Sequence, residues 1–219
     1  PLSLLEDSGT LGPEDRRLVR IARRSSSWMT QLVDQFLDLN KLESDTLKLS
    51  VRKTDVAALL RDVSEMFSVN AGTKEINFVR EGLDEAFEMP VDAVKLTKIV
   101  VNMLSNAFKY TPKNGTVRLS FDTAADGMAE IRVSDSGPGI PDSLKEKVFE
   151  RFWSDKDKGG IGIGLYYSRI LAGVHHGRIW AEDVQDGSGA CFRLQIPFRD
   201  EAYAPEEFST AESEPSPMA

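Results

Sequence analysis

The chain has 219 residues, with 27 Lys and Arg against 35 Asp and Glu, a formal net charge of −8 and 41% apolar residues. That composition excludes wholesale disorder and supplies enough material for a sizeable core. It also excludes sequence-independent binding to a nucleic-acid polymer, which needs a basic stripe against the phosphates.

The first predicted element runs from Pro13 to about Ser44. Gly12-Pro13-Glu14-Asp15 reads as a helix start, with proline in the first turn and acidic residues at the positive helix end. Leu18, Ile21, Ser25, Trp28, Leu32, Gln35, Leu39 and Leu42 follow at spacings of three and four, the stripe of a coiled-coil-like helix. A helix of ~32 residues is roughly 48 Å long and needs a partner of similar length. Leu2, Leu4 and Leu5 read as the end of an earlier helix, before the turn Gly9-Thr10-Leu11-Gly12. The chain does not begin with Met, so a fragment or processed product is expected, and residues 1–45 read as a truncated helical hairpin.

From residue 46 the pattern becomes mixed. Thr46–Val51 alternates as a strand, and Asp55 caps an amphipathic helix through Phe67. Ile76–Arg80 and Ala86–Met89 read as short strands, and Asp92–Tyr110 as a strong helix stopped by Thr111-Pro112-Lys113-Asn114-Gly115. Strands Thr116–Asp122 and Met128–Ser134 join through Asp126-Gly127. A glycine-punctuated stretch, 135–164, holds a short helix near Leu144–Phe152. Then come a helix at Gly164–His176 and strands at Arg178–Asp183 and Ala190–Pro197. Cys191, the single cysteine, excludes an internal disulfide and alternates into the core of that last strand. Beyond Arg199 lies a Glu/Ser/Pro/Ala-rich tail, 200–219. Its six acidic residues leave the preceding body at 27 positive against 29 negative charges. No apolar run approaches the ~18–20 residues of a membrane helix.

Three stretches carry the chemistry. Asn102, Asn106, Lys109 and Tyr110 share a face of the helix Asp92–Tyr110, opposite Leu96, Ile99, Val100, Met103, Leu104 and Phe108. Asparagine is a poor mid-helix residue; amide oxygens suit a hydrated Mg²⁺, and an ammonium group suits phosphate. Asp135-Ser136-Gly137-Pro138-Gly139-Ile140 follows a strand, where glycines permit close approach of a ligand and a carboxylate accepts from an exocyclic amine. Gly159-Gly160-Ile161-Gly162-Ile163-Gly164 opens a helix beginning at Leu165, a place where bare amides meet phosphate. It matches neither a Walker A loop nor a dinucleotide fingerprint.

Together, residues 46–199 resemble the ATP-binding catalytic domain of bacterial sensor histidine kinases, in the superfamily shared with gyrase, mismatch-repair and heat-shock-chaperone ATPases. Asn102 through Thr111 resembles the N box, Asp135 through Ile140 the first glycine box, and Phe149-Glu150-Arg151-Phe152 the F box. Gly160-Ile161-Gly162-Ile163-Gly164-Leu165 is similar to the second glycine box, and Asp186-Gly187-Ser188-Gly189 to the closing turn. Leu37-Asp38-Leu39-Asn40-Lys41-Leu42-Glu43 is similar to the end of the second helix of the dimerisation and phosphotransfer hairpin.

The resemblance implies an α+β fold, a two-layer α/β sandwich of the Bergerat type preceded by the long helix. It implies ATP and Mg²⁺ as cofactors. Asn102 and Asn106 would be the metal ligands, Lys109 a phosphate contact, Tyr110 a neighbour of the base and Asp135 the adenine reader. Gly137, Gly139, Ile140, Gly160, Gly162, Gly164 and Leu165 would lie along the nucleotide, and Phe149 and Phe152 would anchor a lid. It implies transfer of the γ-phosphate to a histidine on a helix upstream of this chain, a homodimer formed through the hairpin, and a response-regulator receiver domain as partner. The implied setting is cytoplasmic, with membrane attachment only through upstream segments. The alternatives are a hydrolytic ATPase of the same superfamily and a degenerate nucleotide-binding or dimerisation module. Hydrolytic members carry a water-activating glutamate four residues before the second asparagine; here that position is Asn102. The only histidines, His175 and His176, close a helix where cations suit the dipole and Gly177 suits the cap, and neither is expected to be the acceptor.

Overall fold

A computed structural model describes residues 49–124, 126–155, 161–184 and 187–198, with isolated positions between 12 and 29. Of the predicted long helix, Asp15, Leu18, Val19, Ala22, Ser26 and Met29 are helical, and Leu18 and Met29 are exposed. The rest of the 1–45 hairpin and the whole 200–219 tail lie outside the described residues.

The body starts with β1 (Arg52–Asp55), α1 (Val56–Lys74), β2 (Asn77–Glu81), β3 (Glu88–Val91) and α2 (Ala93–Tyr110). It continues with β4 (Thr116–Thr123), β5 (Met128–Asp135), a one-turn α3 (Asp142–Lys145), α4 (Gly164–Val174), β6 (Arg178–Asp183) and β7 (Ala190–Pro197). The main sheet has the order β2-β4-β5-β7-β6. Its β2–β4 pair is parallel and the other pairs are antiparallel. Val117, Leu119, Ile131, Val133, Phe192 and Leu194 face Leu60, Ile99, Met103, Leu104, Tyr167 and Leu171 of α1, α2 and α4, all buried. This is the two-layer sandwich that the resemblance implies. Each fully buried Leu or Ile adds about 1.5–3 kcal/mol, so the sheet-facing side of α2 anchors the helix whose other side carries the candidate residues.

Among the described residues, which leave out 46–48, the first strand lies later than the predicted Thr46–Val51. It occupies Arg52–Asp55, where it pairs antiparallel with β3 as a separate two-stranded sheet, while Leu49–Val51 form no strand. Asp55 fixes that register. It ends β1 and caps α1, its Oδ1 accepting from Ala58 N at 3.1 Å and from Phe87 N at 3.2 Å. Helix α1 then runs to Lys74, well past Phe67, because Ala71 is still in the core and Glu75 closes the helix at φ 54°. Tertiary packing there outweighs the weak helix propensity of the Ser68–Thr73 stretch. The predicted helix Leu144–Phe152 is instead α3 followed by a 3₁₀ turn, Lys147–Phe149. Phe152 cannot be helical: its φ is +66° and its N–H donates to Gly162 O at 2.9 Å.

Helix α4 also ends before the predicted His176. His176 itself adopts the left-handed conformation, φ 56°, that Gly177 was expected to supply. Gly177 is required for another reason: a Cβ there would lie 2.1 Å from Gln195 O on β7. Nor is His175 a cation at the helix end. It is 0% exposed, its Nε2 accepting from Asp92 N at 3.3 Å and its Nδ1 lying 2.7 Å from Leu171 O. Burial holds its pKa below the ordinary imidazole value, so the ring is neutral. Among the described residues, no helix is long and apolar enough to cross a membrane.

Candidate functional site

Helix α2 presents the first group of side chains. Asp92 caps it through Lys95 N at 3.1 Å, and its apolar face locks against the sheet, which fixes the rotation of Asn102, Asn106, Lys109 and Tyr110. The four were expected to share one face of the helix, and at its centre Asn102 is only 8% exposed because α4 packs over it. Its Nδ2 donates to Gly164 O and to Ser168 Oγ, both at 3.1 Å. Asn106, one turn on, is half-buried, as are Lys109 and Tyr110. The Lys109 ammonium lies 5.0 Å from the centre of the Tyr110 ring. Burial, then the charge of Asp155, push the Tyr110 phenol up from its ordinary pKa, so it stays protonated.

Strand β5 ends at Asp135, 6% exposed, whose Oδ1 accepts from Gly137 N at 2.8 Å. Desolvation raises its pKa, opposed by backbone hydrogen bonds from Gly137 and Ala190. A Cβ on Gly137 would stand 2.7 Å from that Oδ1 and 3.0 Å from Tyr110 O, so the missing side chain lets the 135–140 turn close onto the end of α2. The turn before β7 braces it from behind. Ser188 Oγ donates to Gly137 O at 3.1 Å, and a Cβ on Gly189 would fall 1.8 Å from Asp135 O. Gly139, at φ +76°, lies under Gly189, and Ile140 packs on the core beside it. Asp186 of the expected closing turn lies outside the described residues.

The F box and second glycine box meet through backbone. Phe149 is buried edge-on against Phe192 at 6.1 Å, whereas Phe152 is 60% exposed with the Arg151 guanidinium 4.8 Å from its ring. Gly162, at φ +73°, receives the Phe152 N–H, and a Cβ on it would lie 2.2 Å from Trp153 O. Gly164 opens α4 directly over Asn102, and Leu165 packs on the core beside it. Gly160, Lys156 and Lys158 lie outside the described residues.

Three participants escape a reading by motif: Ser168, Asp155 and the Asp92–His175 contact. Ser168 stands four residues after Gly164, so helical period puts it on the same face, and that was the available signal. The Asp92–His175 bond spans 83 positions and has no local signature. Cys191 is buried, its thiol pushed up to about 11 by desolvation, so it is an inert core residue.

As a metal site, the described residues hold no cluster of three or more His, Cys, Asp or Glu side chains. Neutral amide oxygens with room for water are instead a donor set suited to Mg²⁺ bound mainly through substrate phosphates. Asn102 fits that part: its Nδ2 is spent on two acceptors, and its Oδ1 takes no hydrogen bond from the described residues.

A family model for histidine kinase-, DNA gyrase B- and HSP90-like ATPases matches residues 91–200. The chain is 36% identical over 196 residues to the sensor histidine kinase TmoS of Ectopseudomonas mendocina, covering 87% of this chain and 20% of that protein. It is 34% identical over 199 residues to the adaptive-response sensory kinase SasA of Thermosynechococcus vestitus, covering 88% and 51%. Among solved structures, full-length ShkA in complex with AMPPNP superposes with a TM-score of 0.72 at 29% identity, over 89% of this chain and 41% of that one. The chain therefore spans about half or less of each of these relatives.

Proposed function

The chain belongs to the histidine kinase-, DNA gyrase B- and HSP90-like ATPase family, and from that premise we propose that it is the ATP-binding catalytic portion of a two-component sensor histidine kinase. The observation that carries this reading is the buried Asp135 carboxylate, clamped by the N–H of Gly137, which itself lies against the Tyr110 carbonyl at the end of α2. A buried carboxylate there reads an exocyclic amine such as that of adenine, while Tyr110 flanks the base and Lys109 meets phosphate. Asn102 and Asn106 would hold Mg²⁺, which neutralises charge on the phosphates when bound. Gly137, Gly139, Gly162 and Gly164, with Gly160, let the backbone close around the nucleotide. The segment between the F box and the second glycine box is anchored by the buried Phe149 ring and by the Phe152 N–H on Gly162 O.

Transfer breaks the bond between the γ-phosphorus and its β-bridging oxygen. It forms a phosphorus–nitrogen bond on a histidine, and ADP leaves. The acceptor is a histidine on the hairpin whose second helix residues 13–44 resemble: His175 is buried and engaged by Asp92 N and Leu171 O, and His176, although exposed, belongs to the left-handed turn that closes α4. The homodimer arises through that hairpin, and the phosphoryl group passes on to a response-regulator receiver domain, as the resemblance implies. Asn102 in place of a water-activating glutamate favours transfer over hydrolysis. The test is incubation with γ-labelled ATP, with and without a separately supplied hairpin domain carrying its histidine. Label is expected on the hairpin and not on this chain; label on the chain alone, or rapid phosphate release without an acceptor, would sink the reading.

A further inference from the structure

We infer that Ser168 is a positioning residue for metal-bound nucleotide: it fixes the amide of Asn102 so that Oδ1, not Nδ2, faces the nucleotide. The inference rests on the functional reading above and assigns a role to a residue that touches neither nucleotide nor metal.

An asparagine amide presents a donor end and an acceptor end of nearly the same shape, and only its hydrogen-bond partners decide which way it points. At Asn102 the inward partners are Gly164 O and Ser168 Oγ, both 3.1 Å from Nδ2. A backbone carbonyl can only accept. The serine hydroxyl can do either, but its proton is committed: Ser168 Oγ donates to Gly164 O at 3.0 Å. That leaves the hydroxyl lone pairs for Asn102, so both inward partners are acceptors and both amide protons are used. A reversed amide would set Oδ1 against the Gly164 carbonyl and leave Nδ2 facing the cleft, where a cation would meet a donor.

The triangle is sealed from water. Ser168 is 0% exposed, and Asn102 nearly as buried, so no solvent molecule substitutes for a lost partner at low cost. Gly164 contributes through its backbone carbonyl; a Cβ there would meet Asn102 Oδ1 at 3.4 Å, an ordinary van der Waals contact. The site is therefore built from α2 and α4 together. The metal-facing oxygen comes from one helix, and its orientation is set by the first turn of the other.

The test is calorimetric titration of the full chain with a non-hydrolysable ATP analogue, in excess Mg²⁺ and again in EDTA. The comparison is between the wild type and Ser168→Ala, with Ser168→Cys as a volume-conserving control. Loss of one partner of the amide should weaken Mg²⁺-dependent affinity by about fivefold in Ser168→Ala, leave metal-free affinity unchanged, and give a smaller loss in Ser168→Cys, whose sulfur is a weak acceptor. Thermal unfolding of each variant checks that the fold is retained. Equal weakening with and without Mg²⁺ would make Ser168 a packing residue only and overturn the inference, as would unchanged affinity in both. A wild-type chain that binds no analogue under either condition would overturn the functional reading and the inference with it.

Discussion

Asp135 sits where an ionised carboxylate is poorly solvated, and two backbone N–H groups only partly offset that loss. Such a group costs the free protein stability and serves a ligand that brings its own donor. For an acid whose folded pKa is raised, the cost is present above that pKa and disappears as pH falls through it. Asp135→Asn should therefore unfold at a higher temperature than the wild type at pH 7, with the difference shrinking toward pH 4, while losing at least tenfold in ADP affinity. Differential scanning calorimetry and ligand titration at the two pH values check both halves. Unchanged ADP affinity would remove Asp135 from the recognition of the base. Asp135 and Asn102 were both legible in the sequence as residues, through their place in short motifs. What each is bonded to was not, because Gly164 and Ser168 lie more than sixty positions from Asn102.

Elements are held in place here by polar contacts at their ends as much as by the apolar layer. Asp92 caps α2, accepts Ser50 N at 2.9 Å and pairs with Lys95 Nζ at 2.6 Å, while its own N–H donates to His175 at the end of α4. One residue, through its carboxylate and its backbone N–H, thus ties the segment entering β1 to both helices of the candidate site. His175 must stay neutral to accept that N–H. Its folded pKa is lowered, first by burial, so its stabilising contribution is complete above the unfolded imidazole value of about 6.5 and is lost as pH falls below it. The wild type should lose more thermal stability between pH 7.5 and 5.5 than His175→Gln, which cannot titrate; parallel pH profiles would contradict the neutral assignment. The sequence pattern predicted the pair as helix-end cations because both helix ending and charge preference are local rules. Burial of one ring under α2 is a tertiary event that those rules do not contain.

For the whole molecule, every core residue among those described falls between Val56 and Ile196. The Glu/Ser/Pro/Ala-rich composition of residues 200–219, with six acidic residues and no Lys or Arg, is that of a solvated segment, so its charge is expected to be separable from the stability of the sandwich. Truncation after Arg199 removes six negative charges and should leave the unfolding midpoint and nucleotide affinity unchanged, while moving the isoelectric point upward. A midpoint lowered by more than about 4 °C, the scale of 1 kcal/mol in a domain of moderate size, would mean that the tail packs on the body.

The sequence by itself determined the identity and order of the motifs, the alternation that makes β4, β5 and β7 strands, and the apolar face that makes α2 a core helix. All of these follow from neighbours within a few turns or residues, where side-chain period and backbone preference act directly. Only the tertiary structure decided the pairing of β1 with β3, the extent of α1, the neutral burial of His175 and the orientation of the Asn102 amide. Each depends on a partner brought from far along the chain, and a hydrogen bond or a close backbone approach across that distance leaves no periodic trace in the residues that make it.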